Sequence, residues 1–421
     1  MAEVAAGLLA AEQTVSTGLQ AGLAGYAVAQ STVPLKAAFS QIASTSGDNS
    51  RASLARCDHT VTVIGKKAYI FGGKTSPNQL ATNDIHCIAL PIKDAPAPEY
   101  QAVPAVAANG RGTVPAARAQ HAACALGKYI VVYGGCDEIG APVDDMESKL
   151  WLFDTENSTW EVLEPSSHLE RRPPSRRMAT LLSHDGNLIL YGGVGPQADI
   201  QTQVWHFNCR AKIWNQLPHA PVAVTSAAIA GDTLYLVAAS DALSSEVHHL
   251  DIKLYDREPP TWSTMSIPTN PLTPGPKPRA NGALLPVTTG YGRNYLIYFF
   301  GEHLGNAEKD GLHQWSDLWT FQIPSSNVEL KATTTLTDAI KPAKIKDQIR
   351  SKLGADTGKA SWAEVEVQIP GDLKGHEGKV HPGPRSLFGY DVMPGKNGIV
   401  LWGGISADGK LKGDGWMIEL A

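Results

Sequence analysis

The densest group of chemistry-bearing side chains in this 421-residue chain is EHLGNAEKDGLHQWSD, from Glu302 to Asp317. Its Glu308, Asp310, His303 and His313 offer carboxylates and imidazoles, donors that suit iron or zinc. The adjacent Glu302 and His303 could do acid–base work or hold a metal. On a strand, neighbours point to opposite faces; in a loop they need not. The same residues also fit an ordinary solvated loop, so no cofactor is expected and a divalent metal stays open. Asp58 is a third candidate for acid–base work. Glycine-rich phosphate loops, nucleophile elbows and HExxH are missing. The five cysteines are odd in number and form no CxxC, which argues against a disulfide framework or a finger-type zinc site.

What must hold these residues is a repeat. AYIFGGK (Ala68 to Lys74), YIVVYGGCD (Tyr129 to Asp137), LILYGGVG (Leu188 to Gly195) and IVLWGGIS (Ile399 to Ser406) each end a short apolar run on paired glycines. An Arg-led strand precedes each pair, as in ARCDHTVTVI and ARAQHAACAL. A polar loop and a third strand follow, as in SKLWLFDT, and a fourth segment carries Trp, as in STWEVL and KIWNQL. Two degenerate copies place Ala238 and Ala239, or Gly301 alone, at the glycine positions. Short strands punctuated by Gly and Pro at a long repeat period indicate an all-β array of six four-stranded units. Such sheets cannot bury both faces alone, and ringing them solves that while leaving few edges.

This pattern resembles the kelch repeat, similar to the central domain of galactose oxidase. The resemblance covers nearly the whole chain from about Pro34 and implies a six-bladed β-propeller. We expect a propeller over 34–421, with LKAAFSQIA (Leu35 to Ala43) as the outer strand of the last blade, covering an open edge. Residues 1–33, rich in Ala, Gly and Leu, form a separate appendage, expected to be helical. The insert 335–359 in the fifth blade has near-helical spacing of Ile340, Ile345, Ile349 and Leu353, and reads as a short amphipathic helix. Trp160, Trp214, Trp262 and Trp362 are expected to fill the gaps between blades.

In a kelch propeller the resemblance places a site where loops converge at the mouth of the central channel. The positions that map there are Arg56, Asp58, Arg118, Gln120, Arg176, Arg279, Asn281 and Arg385 from the blade starts. Lys74, Asp137, Asp241, Glu302 and His303 come from the loops after the second strands. The repeated arginine, aligned as Arg56, Arg118, Arg177, Arg279 and Arg385, has two readings. It either bonds loop carbonyls and carboxylates as part of the architecture, or forms a positive ring for an acidic ligand. His59 and His121 are equivalent and read as buried strand residues.

A net charge of −5 without a basic run argues against nucleic acid. No 18-residue apolar segment predicts a membrane span, the first residues do not read as a signal peptide, and the cytoplasm is the default. Three functions stay open: a binding propeller presenting its mouth to a protein partner, a cofactor-independent cyclase, isomerase or lyase for a small organic ligand at the same mouth, and a metal-dependent lyase.

Overall fold

The computed structural model describes residues 34–43, 54–90, 99–110, 112–143, 149–168, 171–223, 226–238, 244–253, 259–268, 274–289, 294–303, 314–323, 360–368, 381–393, 395 and 397–421. The expected appendage and insert helices, and Asp241, Glu308, Asp310 and His313, lie outside them.

The described residues form a six-bladed β-propeller. From the axis outward, blade 1 is Thr60–Ile64, Lys67–Phe71, Ile85–Ala89 and Tyr100–Val103. Blade 2 is Ala122–Leu126, Tyr129–Tyr133, Leu150–Asp154 and Thr159–Leu163. Blade 3 is Thr180–His184, Asn187–Tyr191, Val204–Asn208 and Ile213–Leu217. Blade 4 is Ala227–Ala230, Thr233–Val237, Ser244–Asp251 and Trp262–Pro268. Blade 5 is Ala283–Thr288, Asn294–Phe299, Leu318–Gln322 and Ser361–Glu364. Blade 6 is Gly389–Val392, Gly398–Trp402, Gly415–Leu420 and, from the other end of the chain, Lys36–Ala43.

The last pairing is antiparallel, with Phe39 opposite Ile418. Leu35 and Phe39 thereby join the core of Trp416, Ile418 and Phe388. The run SWAEVEV, which carries Trp362, divides between two blades. Ser361–Glu364 closes blade 5, while Glu366–Gln368 pairs in parallel with Lys36–Ala38 on the outside of blade 6. The break comes at the buried Val365, whose amide still reaches Leu318 at 2.8 Å. The next amide, of Glu366, has crossed to Leu35.

Packing between blades explains the aromatic positions. Trp160 of blade 2 rests on Phe71 of blade 1, with ring centroids 5.2 Å apart. Trp214 of blade 3 meets Tyr133 of blade 2 at 6.1 Å. Both indoles are buried, so each fills a seam that neither sheet closes alone.

The repeated arginine and the glycine pair form one device. Arg56, Arg118, Arg176, Arg279 and Arg385 each stand four residues before an inner strand, and each is buried. Their Nη1 atoms donate to the carbonyls of Gly72, Gly134, Gly192, Phe300 and Gly403 of their own blades at 2.9–3.0 Å. Several also hold a partner at the residue just before the third strand. Arg279 grips Asp317 at 2.7 and 2.9 Å, Arg385 grips Asp414, and Arg176 bonds Gln203. Backbone carbonyls of these arginines then accept the second-glycine amide of the preceding blade: Gly73 to Arg118, Gly135 to Arg176, Gly301 to Arg385 and Gly404 to Arg56, at 2.8–3.0 Å. Glycine is required because a Cβ on Gly72 would lie 2.5 Å from the Arg118 carbonyl and 2.7 Å from the His121 ring. Blade 4 has Ala223 and Ala238–Ala239 at these positions, and so lacks both the arginine and the glycine pair.

The register corrects one alignment. Arg176, not Arg177, is the repeated residue of blade 3, because the buried guanidinium must stand four residues before Thr180. The five buried arginines belong to the wall, which takes them away from a ligand at the mouth.

Candidate functional site

Two residues after each repeated arginine, the chain adopts a left-handed conformation: Asp58 (φ 57°), Gln120 (56°), Met178 (58°), Asn281 (51°) and Leu387 (54°). Such φ values are uncommon outside glycine and concentrate at functional or tightly determined sites. Here the backbone is fixed by bonds between blades. Asp58 N–H donates to Leu387, Gln120 N–H to Asp58 and Met178 N–H to Gln120, at 2.8–3.0 Å. The result is a collar of half-buried side chains around the channel mouth, one from each blade except blade 4, whose equivalent, Thr225, lies outside the described residues.

A polar network spans blades 1 to 3 of this collar. Arg177 Nη1 donates to Gln120 Oε1 at 3.0 Å. Gln120 in turn bonds the Asp58 carboxylate, which also accepts from Cys57 Sγ at 3.8 Å. Burial raises the Asp58 pKa above the ordinary carboxylate value; Lys74 and Gln120 work against that shift, and the negative charge of Glu302 adds to it. Asp58 and Glu302 therefore share the mouth although 244 positions of sequence separate them. The Cys57 thiol is pushed up to about 12, chiefly by burial and the adjacent Asp58, so it is not a thiolate nucleophile.

Glu302 and His303 sit on a short strand opposite Ala280 and Arg279, and their roles diverge. Asn281 Nδ2 donates to Glu302 Oε1 at 2.5 Å. His303 is exposed and leans on the Trp315 ring, 5.8 Å between centroids. Asp137 is committed to its own loop, accepting from the amides of Ile139 and Ala141 at 3.1 and 2.8 Å. That bonding presents Ile139 at the loop tip, 85% exposed. Ile200, in the equivalent loop of blade 3, is 72% exposed. Composition gave no reason to single out either isoleucine; their position between the second and third strands was the available signal.

Below the collar, His59 and His121 are buried in the wall, and desolvation holds His121 down at about 3 and His59 well below its usual range. They are neutral packing residues: the His121 ring lies against Gly72, and that of His59 against Gly403. The inner strands of all six blades enclose a channel of about 450 Å³. Asp391, the one acid among the described residues that line it, is not singled out by the sequence, since nothing about an Asp in FGYDVM marks it as facing the axis.

Six radially ordered four-stranded blades, closed by joining the two ends of the chain, with Gly–Arg bonds between them, define a kelch β-propeller. The chain belongs to the family described as the KLHDC2/KLHL20/DRC7 Kelch-repeats domain, whose model matches residues 58–301. It is 27% identical to human Kelch domain-containing protein 3 over 168 residues, 39% of this chain and 41% of that protein. It is also 27% identical to the Chlamydomonas reinhardtii dynein alpha chain of the flagellar outer arm over 171 residues, 39% of this chain and 3% of that one. The solved structure of YjhT matches at a TM-score of 0.53 with 13% identity, covering 86% of this chain and 94% of that chain, a likeness of fold. Among the described residues no helix is long and apolar enough to cross a membrane.

Proposed function

We propose that this propeller is a protein-interaction module whose contact surface is the mouth face over blades 1 to 3. The observation that carries the reading is the pair of exposed isoleucines, Ile139 and Ile200, on neighbouring loops beside the Arg177–Gln120–Asp58 network. Interfaces draw their energy from a few apolar and arginine anchors ringed by polar groups, and this patch has that composition. Lys74 and Arg177 bring positive charge, and Asp58 and Glu302 negative charge, to the same mouth, with Lys74, Arg177 and Asp58 all close to Cys136. A partner would be read by both. Membership of the kelch-repeat family supports an interaction role in general terms.

The test is site-specific photocrosslinking. A crosslinker at Ile139 should capture a defined partner, and one at Ile213, on the outer strand of blade 3, should not. Ile139→Asp and Ile200→Asp together should then weaken that partner's binding by at least about tenfold, the scale of one anchor residue. Unchanged affinity in this double variant, or capture from Ile213 alone, would move the interface elsewhere.

A further inference from the structure

We propose that the axial channel is a binding site for a small organic monocation with an apolar body, an alkyl or arylalkyl amine, held by the carboxylate of Asp391. The argument begins with an unbalanced charge. Each inner strand leaves one backbone edge unpaired toward the axis. Asp391 of blade 6 covers part of the blade 1 edge: its Oδ2 accepts from Val63 N–H at 2.6 Å, and its Oδ1 from Val392 N–H at 2.7 Å. A carboxylate has about four acceptor sites, so these two bonds leave room for more.

The other ionisable groups lining the channel carry no charge at neutral pH. His59 and His121 are held neutral by desolvation. Burial pushes the Cys124 thiol up, and Tyr390 up to about 12. Asp391 itself is pushed up to about 6 by burial, its two backbone bonds opposing the shift, so it is ionised above that pH. No cationic side chain pairs with it among the described residues. A charge taken from water without a counter-ion is costly, and a structure that keeps one beside a cavity has a place for its partner.

The cavity decides the kind of cation. Its about 450 Å³ lies in the range of small-molecule sites. The walls are mostly aliphatic, with Val61, Leu181 and Ile229 among them, and Ala125, Ala179 and Gly389 keep them apart. A hydrated metal ion demands several oxygen ligands, which one carboxylate on an aliphatic wall does not supply. An amine needs one anion and an apolar sleeve.

Benzylamine is the probe, with benzyl alcohol as its uncharged counterpart. Calorimetric titration of the full chain near neutral pH should show the amine at least about tenfold tighter, one charge-assisted hydrogen bond's worth. The preference should disappear in Asp391→Asn, whose amide oxygen still accepts from Val63, and fall about tenfold one pH unit below the Asp391 pKa. Ala125→Leu, which narrows the void and leaves the acid in place, should weaken binding of both probes alike. A readout without variants is the Asp391 carboxyl resonance, whose titration midpoint should drop when the amine saturates. Equal affinity for amine and alcohol, an unmoved midpoint, or binding of both probes undiminished by Ala125→Leu each overturns the assignment.

Discussion

The amide of Gly135 donates to the carbonyl of Arg176 across the seam between blades 2 and 3, at 3.0 Å. Arg176 at the same time sends its guanidinium into its own blade, to the Gly192 carbonyl. One residue therefore ties its blade internally and fastens it to the preceding one. The ring is a chain of such ties, and it lapses at blade 4, where Ala223 replaces the arginine.

Two glycines of blade 1 separate conformational strain from crowding. Gly65 and Gly72 have nearly the same φ, 60° and 62°. A Cβ at Gly65 meets nothing within 4 Å, whereas at Gly72 it meets the Arg118 carbonyl at 2.5 Å. Gly65→Ala should cost about 1 kcal/mol, the left-handed penalty alone. Gly72→Ala should cost more than about 4 kcal/mol, since backbone must move. Chemical denaturation of both variants gives the comparison, and equal losses would remove the seam from the explanation.

Adjacent arginines should respond unequally to the same change. Arg176→Lys loses the fork that reaches the Gly192 and Gln203 oxygens together. It should lower stability by about 2–3 kcal/mol, the scale of bonds to a buried charged group. Arg177→Lys sits at the half-buried mouth and should stay within about 0.5 kcal/mol. Thermal melts decide whether the register is right; a reversed order would return Arg177 to the wall.

Asp391 gives stability a definite pH dependence. Its folded pKa, about 6, lies above the ordinary value of 3.8. The native state therefore binds the proton more tightly than the unfolded chain does. Its contribution is most favourable below the unfolded pKa and declines as pH rises toward 6, by about 3 kcal/mol in all. Asp391→Asn removes the titration, so the variant should gain on the wild type between pH 4 and 7, as followed by melts across that range. A gap that stays constant with pH would mean that the carboxylate is solvated.

Ring closure should depend on the strand contributed by Lys36–Ala43. Phe39 is 8% exposed and packed with Trp416 and Phe388 in the core shared by blades 5 and 6. Phe39→Ala should cost about 3–5 kcal/mol. Hydrogen exchange should speed up first in Gly415–Leu420, the strand that loses its neighbour. Exchange rising first in the strands of blade 4 would place the weakest seam there.

The repeat was legible in the sequence because its causes are local. Paired glycines mark where the second strand must pass a neighbouring carbonyl, and the Trp-bearing fourth strands mark the outer rank. Degenerate copies could still be aligned, since Phe300 takes a φ of 53° in the place of a first glycine and Gly301 keeps the tie to Arg385. The two adjacent arginines of blade 3 are separated by spacing: the repeated arginine stands 16 residues before the first glycine in blades 1 and 2, as Arg176 does before Gly192, and Arg177 does not. Glu302 and His303 read as a pair until their strand sent them to different partners.

By itself, then, the sequence determined the all-β repeat architecture and the number of blades. These follow from backbone conformation and apolar alternation within short windows. Which side chains meet was decided by the tertiary structure alone. Asp58 and Glu302 share a mouth, Ile139 and Ile200 stand out from it, and Asp391 faces the axis, because closing the ring sets the direction of every inner strand at once. No local window carries that information, for orientation around an axis exists only when all six blades are in place.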